Sequence, residues 1–183
     1  MEQSQVELIV RATARVSAAC FAAALIAFAA RGRQHHEAGS TAVRLFVAFI
    51  VAHTIHFGAV LWLAVLTAGE NIRARDGWFV VLTVGALFYL GAFAILRTWR
   101  RLDAGRIPAR GERVAAHAAV AFIAAVFLNS YAARLGRMPV YWVPAILMVA
   151  VVTAYFIGVR RSFPGHWGRS ANVSSGGSSE GTP

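Results

Sequence analysis

Three histidines of this chain fall inside long apolar runs: His53, His56 and His117. An ionisable side chain at membrane depth is costly, so each is a candidate for function by default. His53 and His56 stand in the stretch Ala52-His53-Thr54-Ile55-His56-Phe57. A spacing of three puts both on one helical face, about 60° apart. Neutral imidazole is a ligand for haem iron and also a hydrogen-bonding group between helices. His117 follows Arg113-Val114-Ala115-Ala116 in an alanine-rich run. Small residues there let helices approach closely or leave room for a flat cofactor. Counted from Arg44 and Arg113, the depth of His117 differs from that of His53 by roughly 7–8 Å and from that of His56 by roughly 12 Å. That count favours His53 as the partner of His117.

The remaining chemistry is sparse. Glu37, Glu70, Asp76, Asp103 and Glu112 fall in loops or at the ends of apolar runs. With no carboxylate at membrane depth, a di-iron or zinc centre and a proton-driven transporter are both disfavoured. The one cysteine, Cys20, cannot form an internal disulfide or a thiolate cluster and reads as a small packing residue. All 18 basic residues are arginine, which excludes a lysine Schiff base. His35 and His36 lie beside Glu37 in a solvated loop, and His166 lies in the tail. Tyr89, Tyr131 and Tyr155 read as packing or interface residues, with Tyr131 about 40° from the His117 face.

The elements that must hold these residues follow from composition. Hydrophobic residues make up 58% of the 183, charged residues only 14%, and the mean hydropathy is +0.58. Soluble domains carry roughly 25% charged residues, so the chain reads as an integral membrane protein. The fold class expected is all-α, a bundle of about five transmembrane helices, each needing about 20 apolar residues. The spans fall at 6–30, 41–68, 78–96, 114–133 and 140–159. Trp78 and Trp99 are placed as interface anchors, and Pro139 and Pro144 mark the start of the last span. The polar stretch 97–113, with six arginines, reads as a loop, and the Ser/Gly-rich stretch 162–183 as a disordered tail.

The net charge of +10 belongs to arginines between apolar runs, where they orient the chain and meet anionic head groups rather than nucleic acid. One side collects Arg31, Arg33, Arg44, the 97–113 arginines, Arg160, Arg161 and Arg169, twice as many as the other. The expected orientation has the N-terminus outside and the C-terminus in the cytoplasm of a bacterial cell.

Two stretches resemble a known family. Residues 45–58, LFVAFIVAHTIHFG, resemble the second span of small bacterial membrane proteins related to the ferric-reductase-like transmembrane domain, where F-A-x-S-H-x-x-H recurs. Residues 113–134 resemble their later span, through His117, Phe127, Ser130, Tyr131 and Arg134. The resemblance spans roughly residues 41–159 in short motifs. It implies haem b between helices, with His53, His56 and His117 as the carried-over cofactor and iron positions. Related sequences often carry Trp-Arg-x-Leu-His ahead of the later histidine, where this chain has Glu112-Arg113-Val114-Ala115-Ala116-His117. One haem at most is implied, with His117 and either His53 or His56 as axial ligands. With no flavin or nicotinamide domain, a separate electron donor or acceptor protein is implied too. The expectation is membrane electron transfer. Its alternative is a cofactor-free membrane subunit or small-solute transporter whose histidines pack or line a polar path.

Overall fold

The computed structural model describes residues 3–31, 37–67, 75–135 and 139–162. Five long helices account for nearly all of them: α1 Gln3–Ala30, α2 Glu37–Leu66, α3 Arg75–Asp103, α4 Arg110–Leu135 and α5 Trp142–Ser162. A 3-10 turn, Pro139–Tyr141, leads into α5. Among the described residues there is no strand, and the fold is all-α. The shortest helix has 21 residues, roughly 32 Å of rise, which matches a hydrocarbon core of about 30 Å. All five are long and apolar enough to cross a membrane. Large apolar side chains such as Leu8, Phe79, Leu90, Phe93 and Ile146 point outward, as a bilayer requires and water would not tolerate.

Each helix packs on its neighbours in the chain, and α5 packs back on α1, closing the bundle. Two contacts need the absence of a side chain. A Cβ on Gly91 of α3 would meet Ala119 of α4 at 3.0 Å, and one on Gly158 of α5 would meet Ala29 of α1 at 3.0 Å. Small residues at such crossings bring helix backbones together where lipid supplies no hydrophobic drive for association.

The interior is aromatic. Phe21, Phe49, Phe88 and Phe127 come from four different helices and lie within 5.0–6.3 Å of one another in linked pairs. A second group lies toward the α1 C-terminus. There Trp99 stacks on Phe28 at 4.3 Å, with Phe46 and Tyr155 beside it. Trp99 is thus not an interface anchor: it is 1% exposed and fills the core. Its distance from the helix end explains the correction, because α3 does not stop at Leu96 but runs on to Asp103. Arg97, Arg100 and Arg101 belong to that helix rather than to a loop. No glycine or proline lies between Leu96 and Gly105, and arginine is a good helix former.

The real break is local and well built. Gly105 takes φ +69°, its N–H bonds the Leu102 carbonyl at 3.1 Å, and the Arg106 N–H bonds the Arg101 carbonyl at 2.8 Å. This is a Schellman cap, which satisfies the last carbonyls of α3. Pro108 is buried after it, and Glu112 reaches back to the Ala109 N–H at 3.2 Å, one half of a capping box for α4. Glu112 also holds Arg101 at 2.8 Å and Arg97 at 3.2 Å. Arg31, at the end of α1, pairs with Asp103 at 3.1 Å and donates to the Leu102 carbonyl. One end of the bundle is therefore fastened by ion pairs. The loop histidines His35 and His36, His166 and the 163–183 stretch lie outside the described residues.

Candidate functional site

The two α2 histidines face α1. His53 Nδ1 lies 3.2 Å from the Ser17 hydroxyl, and His56 Nδ1 lies 3.2 Å from the Thr13 hydroxyl. Thr13 and Ser17 are four apart, one turn of α1, and His53 and His56 are three apart on α2. Antiparallel helices bring the two short ladders into register. The imidazole centres are 5.8 Å apart, and His53 stacks on Phe88 of α3 at 3.7 Å, nearly parallel.

Hydrogen-bond accounting sets the proton on His56. The Thr13 hydroxyl has one hydrogen and sits 2.7 Å from the Ile9 carbonyl and 3.2 Å from that of Val10. A hydroxyl committed to a carbonyl can only accept from the ring, so His56 Nδ1 carries the proton and Nε2 keeps its lone pair. Polar groups of α4 gather nearby. Arg134 is in electrostatic reach of both His56 and Tyr131, and Tyr131 stacks on Tyr141 at 6.5 Å.

His117 is elsewhere. Its Nδ1 lies 2.9 Å from the hydroxyl of Tyr155, a side chain with no exposed surface. The Trp99 ring lies beside the same tyrosine, its centroid 6.3 Å away.

The two histidine sites are separated along the bundle. His53 lies 6.4 Å from Phe127, and Phe127 is ten residues, roughly 15 Å, beyond His117 on α4. Helix starts agree. His53 is sixteen residues into α2 and His117 seven into α4, depths of roughly 24 Å and 10 Å from the same end. Two imidazoles sharing one metal have nitrogens roughly 4 Å apart, given bonds of about 2 Å. The fold therefore brings His53 and His56 together and keeps His117 apart. His117 with either α2 histidine does not fit as the axial pair of a single haem in this arrangement. The sequence-based depth count ran short because Arg44 lies seven residues inside α2 rather than at its start.

Of the partners of the three histidines, Thr13 and Ser17 went unnoticed in the sequence, and Tyr155 read there only as a packing or interface residue. A signal existed for the first two: hydroxyl residues one turn apart in a span preceding the histidine pair. Tyr155 had none, since its role depends on where α5 lands. No group of three or more metal-ligating side chains occurs among the described residues. A groove of about 280 Å³ along Val152, Thr153, Phe156 and Ile157 of α5 presents mostly apolar surface. Comparison with known families, curated proteins and solved structures finds no match to this chain.

Proposed function

We propose that this chain is a cofactor-free subunit of the membrane, a five-helix bundle whose intramembrane histidines lock helices together. One observation carries this reading. The Nδ1 of each of the three histidines is engaged by a hydroxyl from a neighbouring helix, at two levels roughly 15 Å apart. Interhelical hydrogen bonds of this kind satisfy groups that lipid cannot, and contribute about 0.6 kcal/mol each on average. The aromatic groups between the two levels argue against a polar path through the bundle, and so against the solute-transporter form of the same reading.

Haem-b electron transfer is the second reading. It is favoured by the resemblance of residues 45–58 and by the His56 tautomer, whose Nε2 lone pair is the form an iron ligand takes. On this reading His56 or His53 holds the haem, which supplies one-electron chemistry, and a separate protein supplies the electron. A dithionite-reduced minus oxidised spectrum separates the two. The chain would be expressed with ample haem and purified beside His53→Ala, His56→Ala and His117→Ala. A flat spectrum is expected. Sharp reduced bands lost in His56→Ala or His53→Ala, and kept in His117→Ala, would replace the first reading with the second.

The orientation belongs to the proposal as well. The arginine-rich end, formed by the α1 and α3 C-termini and the α2 and α4 N-termini, faces the cytoplasm across a bacterial inner membrane.

A further inference from the structure

The α3–α4 turn is shaped differently from a simple solvated loop. Its backbone is fixed by the Gly105 cap, the buried Pro108 and the Glu112 contacts described above. On this rigid hairpin the side chain of Ile107 is 78% exposed, the most exposed large apolar residue of the described chain. Arg106 and Arg110 flank it, and Arg100 lies one turn and a half back on α3; all three are exposed. None of the three makes an ion pair among the described residues. Asp103 and Glu112, whose side chains are described at this end, are taken, Asp103 by Arg31 and Glu112 by Arg97 and Arg101.

An apolar tip between guanidinium groups suits one surface above others. Isoleucine gains by entering the acyl boundary, while each flanking arginine gains by meeting phosphate. Water alone would leave Ile107 exposed at a cost, and an apolar protein groove would leave three guanidinium groups without counter-charge. The ion pairs matter too, because they hold Arg97 and Arg101 away from competing for lipid and leave Arg100, Arg106 and Arg110 for it. We propose that the Arg100–Arg106–Ile107–Arg110 surface is a docking site for the anionic phospholipids of the leaflet at this end of the bundle.

The test uses the full chain reconstituted in mixed bilayers, with spin-labelled phosphatidylglycerol or phosphatidylcholine reporting lipid held at the protein surface. The wild type is expected to prefer phosphatidylglycerol. Each arginine near an anionic surface contributes about a fivefold factor, so the Arg100→Gln, Arg106→Gln, Arg110→Gln variant is expected to lower that preference on the order of 100-fold. Raising salt toward 1 M, where the screening length falls to about 3 Å, is expected to do the same to the wild type. Ile107→Ser is expected to weaken retention of both lipids. These side chains make none of the turn's stabilising contacts, and circular dichroism of each variant checks that the bundle is intact. Equal retention of the two lipids by the wild type would overturn the proposal. So would a preference unchanged in the triple variant, or one lost equally in Arg15→Gln at the opposite end. Lipid-indifferent wild type that instead retains an acidic protein would assign the surface to that partner and reject lipid.

Discussion

The three histidines share a residue type and a membrane setting but hold different positions in a proton inventory. His56 donates from Nδ1 to a threonine whose own hydrogen is engaged, whereas His117 meets at Nδ1 the hydroxyl of a buried tyrosine. The consequences for stability differ accordingly. Tyr155→Phe removes the hydroxyl that meets His117 Nδ1, leaving that ring nitrogen without its partner in a closed site. It is expected to cost about 1–3 kcal/mol in reversible unfolding of the detergent-held chain by SDS. Thr13→Val keeps the shape of a half-exposed side chain and is expected to cost under about 1 kcal/mol. A double-mutant cycle of Thr13→Val with His56→Ala should return a coupling of about 0.6 kcal/mol. A coupling of zero would show that the Thr13–His56 contact does not lock α1 to α2. At this scale the histidines were legible in the sequence, because imidazole stands out in an apolar run. Serine, threonine and tyrosine do not stand out there, since each routinely bonds its own helix backbone or packs at an interface.

Helices in this bundle are defined by their closest crossings and by their ends. Gly158 permits the α1–α5 crossing, so Gly158→Leu must push Ala29 and its backbone away and is expected to destabilise the bundle by about 1–3 kcal/mol. Gly111, in the first turn of α4, has open space around the position of a Cβ. Gly111→Ala is therefore expected to be neutral or to gain up to about 1 kcal/mol from helix propensity. The pair of variants separates a packing requirement from a general intolerance of larger residues. At the α3 end, Gly105→Ala puts a Cβ on a left-handed residue and is expected to cost about 1–2 kcal/mol in the same unfolding experiment. The five helices were readable from apolar length, but three details were not. The α3 terminus is set by the cap at Gly105, the burial of Trp99 by Phe28, Phe46 and Tyr155 on other helices, and the α2 start at Glu37 lies ahead of the apolar run.

Across the whole molecule the described ion pairs between helices gather at one end and the α2 histidines lie toward the other. The ion-paired end carries Arg31, Arg97 and Arg101 against Asp103 and Glu112, with further arginines exposed. If this end is cytoplasmic, a single cysteine at the hairpin tip reports it. Ile107→Cys in a Cys20→Ser background is expected to resist an impermeant maleimide in intact cells and to react once the membrane is opened. Labelling in intact cells would reverse the orientation. The closed order of helices also bears on function, because it sets α1 beside α2 and α5 beside α4, and so gives each histidine site its hydroxyl partner.

By itself the sequence determined that this chain is an all-α bundle with five membrane-crossing helices. Long apolar runs have only one way to satisfy their backbone within a single segment, and that is the helix. It also singled out His53, His56 and His117 and put the first two on one face, since helical periodicity is a local property. What only the tertiary structure decided is which groups meet. Whether His117 lies level with His53 depends on where α2 and α4 begin and how they slide past each other, and apolar side chains permit many such registers. The register adopted follows from the Gly91 and Gly158 crossings, the interlocked phenylalanines and the Arg–Glu and Arg–Asp pairs at one end. It leaves two imidazole–hydroxyl sites with an aromatic core between them.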